Sequence, residues 1–320
     1  MQTGKIAFVG AGLIGTGLAL NCVVNGIPAA LQTRLDEIDL CKSRMESGLS
    51  FFRESGIITH EKAETARGLI TITASIPEAV EGAVMVQESV PDSVDLKREI
   101  IAQIEEAAAP DAIIASSTSS RSITEVFSKA SRPERGLGGH PYNPAYLIPL
   151  VEITKGEKTS DEFVAKAKTI YERMGKVPVV LNKEVIGFIA NRYQSALHRE
   201  AVDLVENGVC SVEDADKALV YSVGLRWSIL GQFLSMHLSA APAGIGGFNE
   251  KYHVDVTKPD PRLSNMPVWT TFPASWTENA AVGLDEAIKN RPAETGNDFA
   301  SIEKWRDEML VNTLRLHGLL

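Results

Sequence analysis

The sequence has little cysteine. Cys22, Cys41 and Cys210 are odd in number, scattered and without C-x-x-C spacing. That excludes a disulfide frame and a zinc site and reads as packed or free thiols of a reducing compartment. There is no excess of basic charge. Thirty-two Lys and Arg against forty-one Asp and Glu leave a net charge of −9, which argues against nucleic acid or an anionic membrane as a main partner. No apolar run reaches about 18 residues, so no transmembrane span is expected. The first strand stands at the very start of the chain, so no cleavable leader is expected and the cytoplasm is the expected location. Internal repeats and low-complexity tracts are missing. Tryptophan is scarce, and Trp227, Trp269, Trp276 and Trp305 all fall in the second half. What remains is an ordinary globular composition in 320 residues, long enough for two domains.

The chain opens with an apolar strand, Lys5-Ile-Ala-Phe-Val9, that runs into G-x-G-x-x-G at Gly10, Gly12 and Gly15. An apolar helix follows and closes at Asn25-Gly26. In this context Gly10 allows a tight turn, Gly12 admits a pyrophosphate to the backbone, and Gly15 lets helix and strand pack closely. The backbone of Gly10, Gly12, Leu13, Ile14 and Gly15 then faces the phosphates at a helix N-terminus. The next strand, Ile27–Thr33, ends at Thr33-Arg34, where an acid would accept the ribose 2′-hydroxyl of NAD. Thr33 cannot do so as an anion and Arg34 suits a 2′-phosphate, which favours NADP over NAD. Asp36 and Glu37 follow closely enough to supply an acid for NAD from a shifted loop.

Strands and helices alternate as far as residue 185. Strands are expected at 69–73, 83–87, 112–115, 147–154 and 177–181, and helices within 37–55 and 59–68, and over 92–109 and 161–174. This pattern predicts an α/β fold: an N-terminal Rossmann-type, doubly wound, mostly parallel sheet over residues 1–185. Ligands in such sheets bind beyond the carboxyl ends of the strands. Ser116–Ser120, His140 and the Gly10–Gly15 loop all follow strands and are expected at one crevice, and Glu88, at the end of the strand over 83–87, is expected among the cofactor contacts. Beyond residue 185 only helical periodicity recurs, with a capped start at Ser211. An all-α second domain is expected over 186–320, with an irregular, Pro-rich stretch from Asp255 to Pro273.

His140 lies in Gly136-Leu-Gly-Gly-His-Pro-Tyr-Asn-Pro144, whose glycines and prolines read as a stiff loop. An imidazole on such a loop can move a proton, and a carboxylate on its second nitrogen would fix the tautomer and stabilise the imidazolium. Glu152, in the apolar run Leu150–Ile153, is a candidate for that carboxylate. A histidine in a turn serves structure as readily, and loop position alone does not separate the two roles.

Together these motifs resemble the L-3-hydroxyacyl-CoA dehydrogenase superfamily. The resemblance covers nearly the whole chain. It rests on the N-terminal glycine motif, Ser116-Ser-Thr-Ser-Ser120, Gly139-His-Pro-Tyr-Asn-Pro144, Val151-Glu152 and Gly187-Phe-Ile-Ala-Asn-Arg192, in the family's order and spacing. It implies a dehydrogenase in which His140 is the general base, Glu152 orients it, and Ser119 and Asn191 contact the reacting oxygen. It also implies a homodimer built on the helical domain.

The substrate end departs from the acyl-CoA members. Gly224-Leu-Arg-Trp-Ser replaces their Pro-Met-Gly-Pro-like stretch, and only Lys42 and Lys62 stand between Glu37 and Gly68 to meet CoA phosphates. This looks more like the non-CoA branch of L-carnitine dehydrogenases and the lambda-crystallin/L-gulonate 3-dehydrogenase group, and that segment is most like the former. The expected substrate is a small L-3-hydroxy carboxylate. Arg226 is the candidate clamp for its carboxylate. Trp227 and Phe233 are the first candidates to face a trimethylammonium group, with Tyr252, Trp269, Phe272 and Trp276 behind them. A sugar-acid dehydrogenase, an acyl-CoA dehydrogenase and a non-catalytic, crystallin-like dinucleotide-binding protein are the competing readings.

Overall fold

Apolar strands alternating with helices build one eight-stranded sheet. The computed structural model describes residues 4–252, 258, 266–268, 271 and 273–320. The chain divides into two units, Met1–Arg192 with Asp307–Leu320, and Tyr193–Arg306. In the first, the strands are β1 (Lys5–Val9), β2 (Ala29–Gln32), β3 (Ile70–Thr73), β4 (Ala83–Glu88), β5 (Ile113–Ser116), β6 (Gly136–Pro141), β7 (Leu150–Lys155) and β8 (Val177–Val180). Between them run α1 (Leu13–Val24), α2 (Ile38–Glu54), α3 (His60–Arg67), α4 (Ile76–Val80), α5 (Val94–Ala107), α6 (Ile123–Val126) and α7 (Asp161–Arg173).

The sheet order is β3-β2-β1-β4-β5-β6-β7-β8. All pairings are parallel except β6 with β7. The order reverses between β1 and β4, which opens the ligand crevice of a doubly wound sheet above the ends of those strands. Strand alternation feeds two cores. Phe8, Leu31 and Met85 pack with α1, α2 and α7, while Val9, Val86 and Ile114 pack with α4, α5 and α6. Helix α1 is buried at every position from Gly15 to Val24, so its sequence is apolar all round instead of striped. Val311 and Leu314, near the end of the chain, are buried in the first of these cores.

His140 does not lie on a loop, because Gly136–Pro141 is strand β6, paired on both sides. Its glycines are not turn glycines: a Cβ on Gly136 would run into the Phe127 ring, on Gly138 into Thr154 and Ile123, and on Gly139 into the Tyr171 hydroxyl. Close approach of α6 and α7 to the sheet demands the missing side chains.

The second unit is helical. Helix α8 (Ala190–Glu206) enters it, and α9 (Val212–Ala218) is capped by the Ser211 hydroxyl, which accepts from Asp214 N at 3.0 Å. A π-helical stretch, Leu219–Gly224, leads into α10 (Leu225–Trp227) and α11 (Gln232–Ser239). Helices at Trp276–Lys289 and Phe299–Leu316 follow. Trp269, Phe272 and most of Asp255–Pro273 lie outside the described residues. Among the described residues no helix is long and apolar enough to cross a membrane.

Candidate active site

The antiparallel register of β6 and β7 sets His140 opposite Glu152. Directly paired residues share one face of a sheet, so the two side chains meet. His140 Nδ1 lies 3.0 Å from Glu152 Oε2, with 5% and 1% of each residue exposed. The other carboxylate oxygen, Oε1, accepts from the backbone N–H of Ile189 at 2.8 Å and of Ala190 at 2.9 Å, where α8 begins. Burial acts to raise the Glu152 pKa. The hydrogen bonds from His140, Ala190 and Ile189 outweigh it, and the net shift is downward from the ordinary carboxylate value. An ionised Glu152 requires the proton on Nδ1, which leaves Nε2 as the imidazole's acceptor. Among the described residues Nε2 has no hydrogen-bond partner. Tyr142 meets the ring edge-on at 4.8 Å between centroids, and Phe188 packs at 5.3 Å. Phe188 holds a left-handed φ of 48° in the turn that delivers Ile189 and Ala190 to the carboxylate. So one carboxylate fixes both the imidazole and the start of α8.

Asn191 is the next residue along α8. Its Nδ2 donates to the Ser119 carbonyl at 3.2 Å, and its Oδ1 accepts from the Tyr142 hydroxyl at 2.6 Å. The loop after β5 is held by Asp92, whose two oxygens accept from Thr118 at 2.7 Å and Ser120 at 2.9 Å. Ser119, between these clamped neighbours, is half-buried, and among the described residues its hydroxyl has no partner. His140, Glu152, Ser119 and Asn191 therefore form one connected group within the first unit. Tyr142 and Phe188 belong to it as well. They stand inside the motifs Gly139–Pro144 and Gly187–Arg192, but no residue spacing marks their contacts.

The glycine loop fits a dinucleotide on its own geometry. Gly10 has φ 102°, and a Cβ there would strike Ser89 O. A Cβ on Gly15 would strike Gly10 O, whereas nothing lies within 4 Å of one on Gly12. Gly12 is the N-cap of α1 and offers no side chain to the first turn. Leu13 there is 66% exposed, and among the described residues the N–H groups of Leu13, Ile14 and Gly15 have no acceptor, as a phosphate site requires. At the end of β2, Thr33 is buried and donates its hydroxyl to Glu37 at 3.1 Å. Arg34 pairs with Asp36 at 3.3 Å and with Glu37 at 3.1 Å.

Glu88, expected among the cofactor contacts, has no free oxygen to offer. Oε1 accepts from Val90 N at 2.7 Å and Lys97 at 2.9 Å, and Oε2 from Lys97 at 3.1 Å and Ser116 at 2.6 Å. This sealed carboxylate ties the ends of β4 and β5 together, so its effect on a ligand is indirect. In the second unit Arg226 lies on α10, exposed, and among the described residues its guanidinium has no ion-pair partner. Trp227 beside it is half-buried and Phe233, on α11, is 74% exposed.

Comparison with known proteins agrees with this architecture. Residues 5–185 match the family model for the 3-hydroxyacyl-CoA dehydrogenase NAD-binding domain, and residues 187–274 match that for its C-terminal domain. An L-carnitine dehydrogenase of a Pseudomonas species is 36% identical over 315 residues, 98% of this chain and 93% of that protein. One from Oceanobacillus iheyensis is 33% identical over 318 residues, 98% of this chain and 97% of that one. Among solved structures, a 5-formyl-3-hydroxy-2-methylpyridine 4-carboxylic acid 5-dehydrogenase, an NAD+ dependent dismutase, superposes with a TM-score of 0.81 at 28% identity, covering 98% of this chain and 97% of that one. The (S)-3-hydroxybutyryl-CoA dehydrogenase of Ralstonia eutropha gives 0.65 at 26% identity, covering 80% and 88%.

Proposed function

The chain belongs to the 3-hydroxyacyl-CoA dehydrogenase family, and from that premise we propose that it oxidises the 3-hydroxyl of a small L-3-hydroxy carboxylate of the carnitine type. The observation that carries the chemistry is the buried His140–Glu152 pair, whose imidazole Nε2 has no partner among the described residues. A dinucleotide held by the glycine loop would supply the hydride acceptor for the carbinol carbon. His140 Nε2 takes the hydroxyl proton as that bond breaks, and Glu152 stabilises the imidazolium that results. The free hydroxyl of Ser119 and the remaining N–H of Asn191 hold the oxygen as it becomes a carbonyl. The residues left for the dinucleotide are the backbone of Gly10, Gly12, Leu13, Ile14 and Gly15.

For the ribose, the ion pairs weigh against the NADP reading of Thr33-Arg34. A 2′-phosphate at Arg34 would also meet the carboxylates of Asp36 and Glu37, whereas a 2′-hydroxyl finds an acceptor in Glu37. NAD is therefore the proposed cofactor.

Three facts favour a free acid over a CoA ester. The carnitine dehydrogenases align over almost the whole chain. The solved structure with the fuller overlap acts on a carboxylic acid. Arg226 has a guanidinium available for a carboxylate and an aromatic neighbour in Trp227. A rate assay with L-carnitine, D-carnitine, L-gulonate, L-3-hydroxybutyrate and its CoA ester, each with NAD and NADP, tests this reading. Turnover of L-carnitine with NAD is expected. Turnover of gulonate or the CoA ester alone would overturn the substrate and leave the proton transfer standing.

A further inference from the structure

Asn191 can serve a reacting oxygen only if its amide presents N–H. A primary amide has two N–H groups and a carbonyl oxygen that accepts, and a half-turn about its last bond exchanges them. The structure ties both ends of this amide. One N–H goes to the Ser119 carbonyl, which can only accept, and the oxygen takes the Tyr142 hydroxyl at 2.6 Å. One N–H is left over. The Tyr142 phenol is a dependable donor, because burial and then the Glu152 carboxylate push its pKa above the ordinary tyrosine value, so it keeps its proton at any working pH. Its ring also leans edge-on against His140, so one side chain touches the imidazole with its ring and the amide with its hydroxyl.

We propose that Tyr142 is a positioning residue of this dehydrogenase: its hydroxyl locks the Asn191 amide so that an N–H faces the substrate oxygen, while its ring buttresses His140. This inference rests on the role given to Asn191 above.

The two functions of the side chain separate in Tyr142→Phe, which removes the hydroxyl and keeps the ring. Loss of one hydrogen bond to a part-buried acceptor corresponds to a fall in kcat of roughly tenfold. The affinity for NAD, the melting temperature and the pH profile should not move, since the dinucleotide loop and the ring contact are untouched.

The test is a double-mutant cycle with Asn191→Ala, assayed with the acid that turns over fastest in the panel above. If Tyr142 acts through Asn191, Tyr142→Phe slows the wild type about tenfold and slows Asn191→Ala no further. Additive losses, or a displaced pH profile in Tyr142→Phe, would overturn the inference while Asn191 keeps its role. An Asn191→Ala enzyme at full rate would instead defeat the assignment of Asn191, and the inference with it.

Discussion

Glu152→Gln is the sharpest perturbation of the site, because it changes one charge and almost no volume. The carboxylate serves two sides at once: Oε2 meets His140 Nδ1 at 3.0 Å, and Oε1 takes the N–H groups of Ile189 and Ala190 at 2.8 and 2.9 Å. An amide has a single acceptor oxygen. Two fixed backbone donors at the start of α8 outbid one rotatable imidazole, so the amide oxygen turns to them and the NH2 group turns to His140. Nδ1 must then accept, which places the imidazole proton on Nε2, the nitrogen that has to receive the substrate's proton. The base is thus lost through its tautomer with its position preserved. Where a carboxylate-to-amide change imposes the wrong tautomer on a catalytic histidine, the loss is roughly a thousand- to ten-thousandfold in kcat. The α8 contacts survive and the imidazole contact persists with its direction reversed, so stability should fall by only about 1 kcal/mol, the difference between a charged and a neutral acceptor. The assay is the steady-state rate of acid oxidation, with NAD affinity measured separately by fluorescence titration. A kcat within a few-fold of wild type, in a folded variant that binds NAD normally, would refute the tautomer argument.

Two further outcomes test the frame around the site. Lys176 is buried with its ammonium donating to the carbonyls of Ala145 and Ile148, and burial lowers its pKa from the usual lysine value to about 7. The unfolded chain therefore binds more protons than the folded one above neutrality, and stability rises with pH through that window. Wild type should gain about 1–2 kcal/mol on Lys176→Met between pH 7 and pH 9 in urea unfolding, against a ceiling of ~1.4 kcal/mol per pH unit. A gap that does not change with pH would contradict this. In strand β6, Gly139→Ala would force a methyl group onto the buried Tyr171 hydroxyl. It should cost about 1–3 kcal/mol in the same assay, and an unchanged urea midpoint would show that the packing argument is wrong.

The sheet was legible because its signals are local. The strand from Lys5, the glycine motif and the apolar α1 stand next to one another in the chain, and strands β4 and β5 are short apolar runs. Strand β6 was not legible for a physical reason. Glycine marks a turn when the backbone needs a positive φ and marks close packing when a neighbour occupies the place of Cβ. Sequence shows the residue and not which of the two selected it. Gly136, Gly138 and Gly139 are of the second kind. The enclosure of Glu88 was equally hidden, since sequence does not show that Lys97 and Ser116 close over its carboxylate. The Tyr142–Asn191 contact spans 49 residues of sequence, and only the turn at Phe188, which carries the start of α8 to Glu152, brings the two together.

The proposed substrate is a free L-3-hydroxy acid and not a CoA thioester. The most direct measurement is the initial rate of NAD reduction with L-carnitine beside that with L-3-hydroxybutyryl-CoA, at equal enzyme and saturating NAD. Steady formation of reduced cofactor is expected with carnitine, and none above background with the thioester. Rapid oxidation of the thioester with carnitine inert would contradict the proposed substrate.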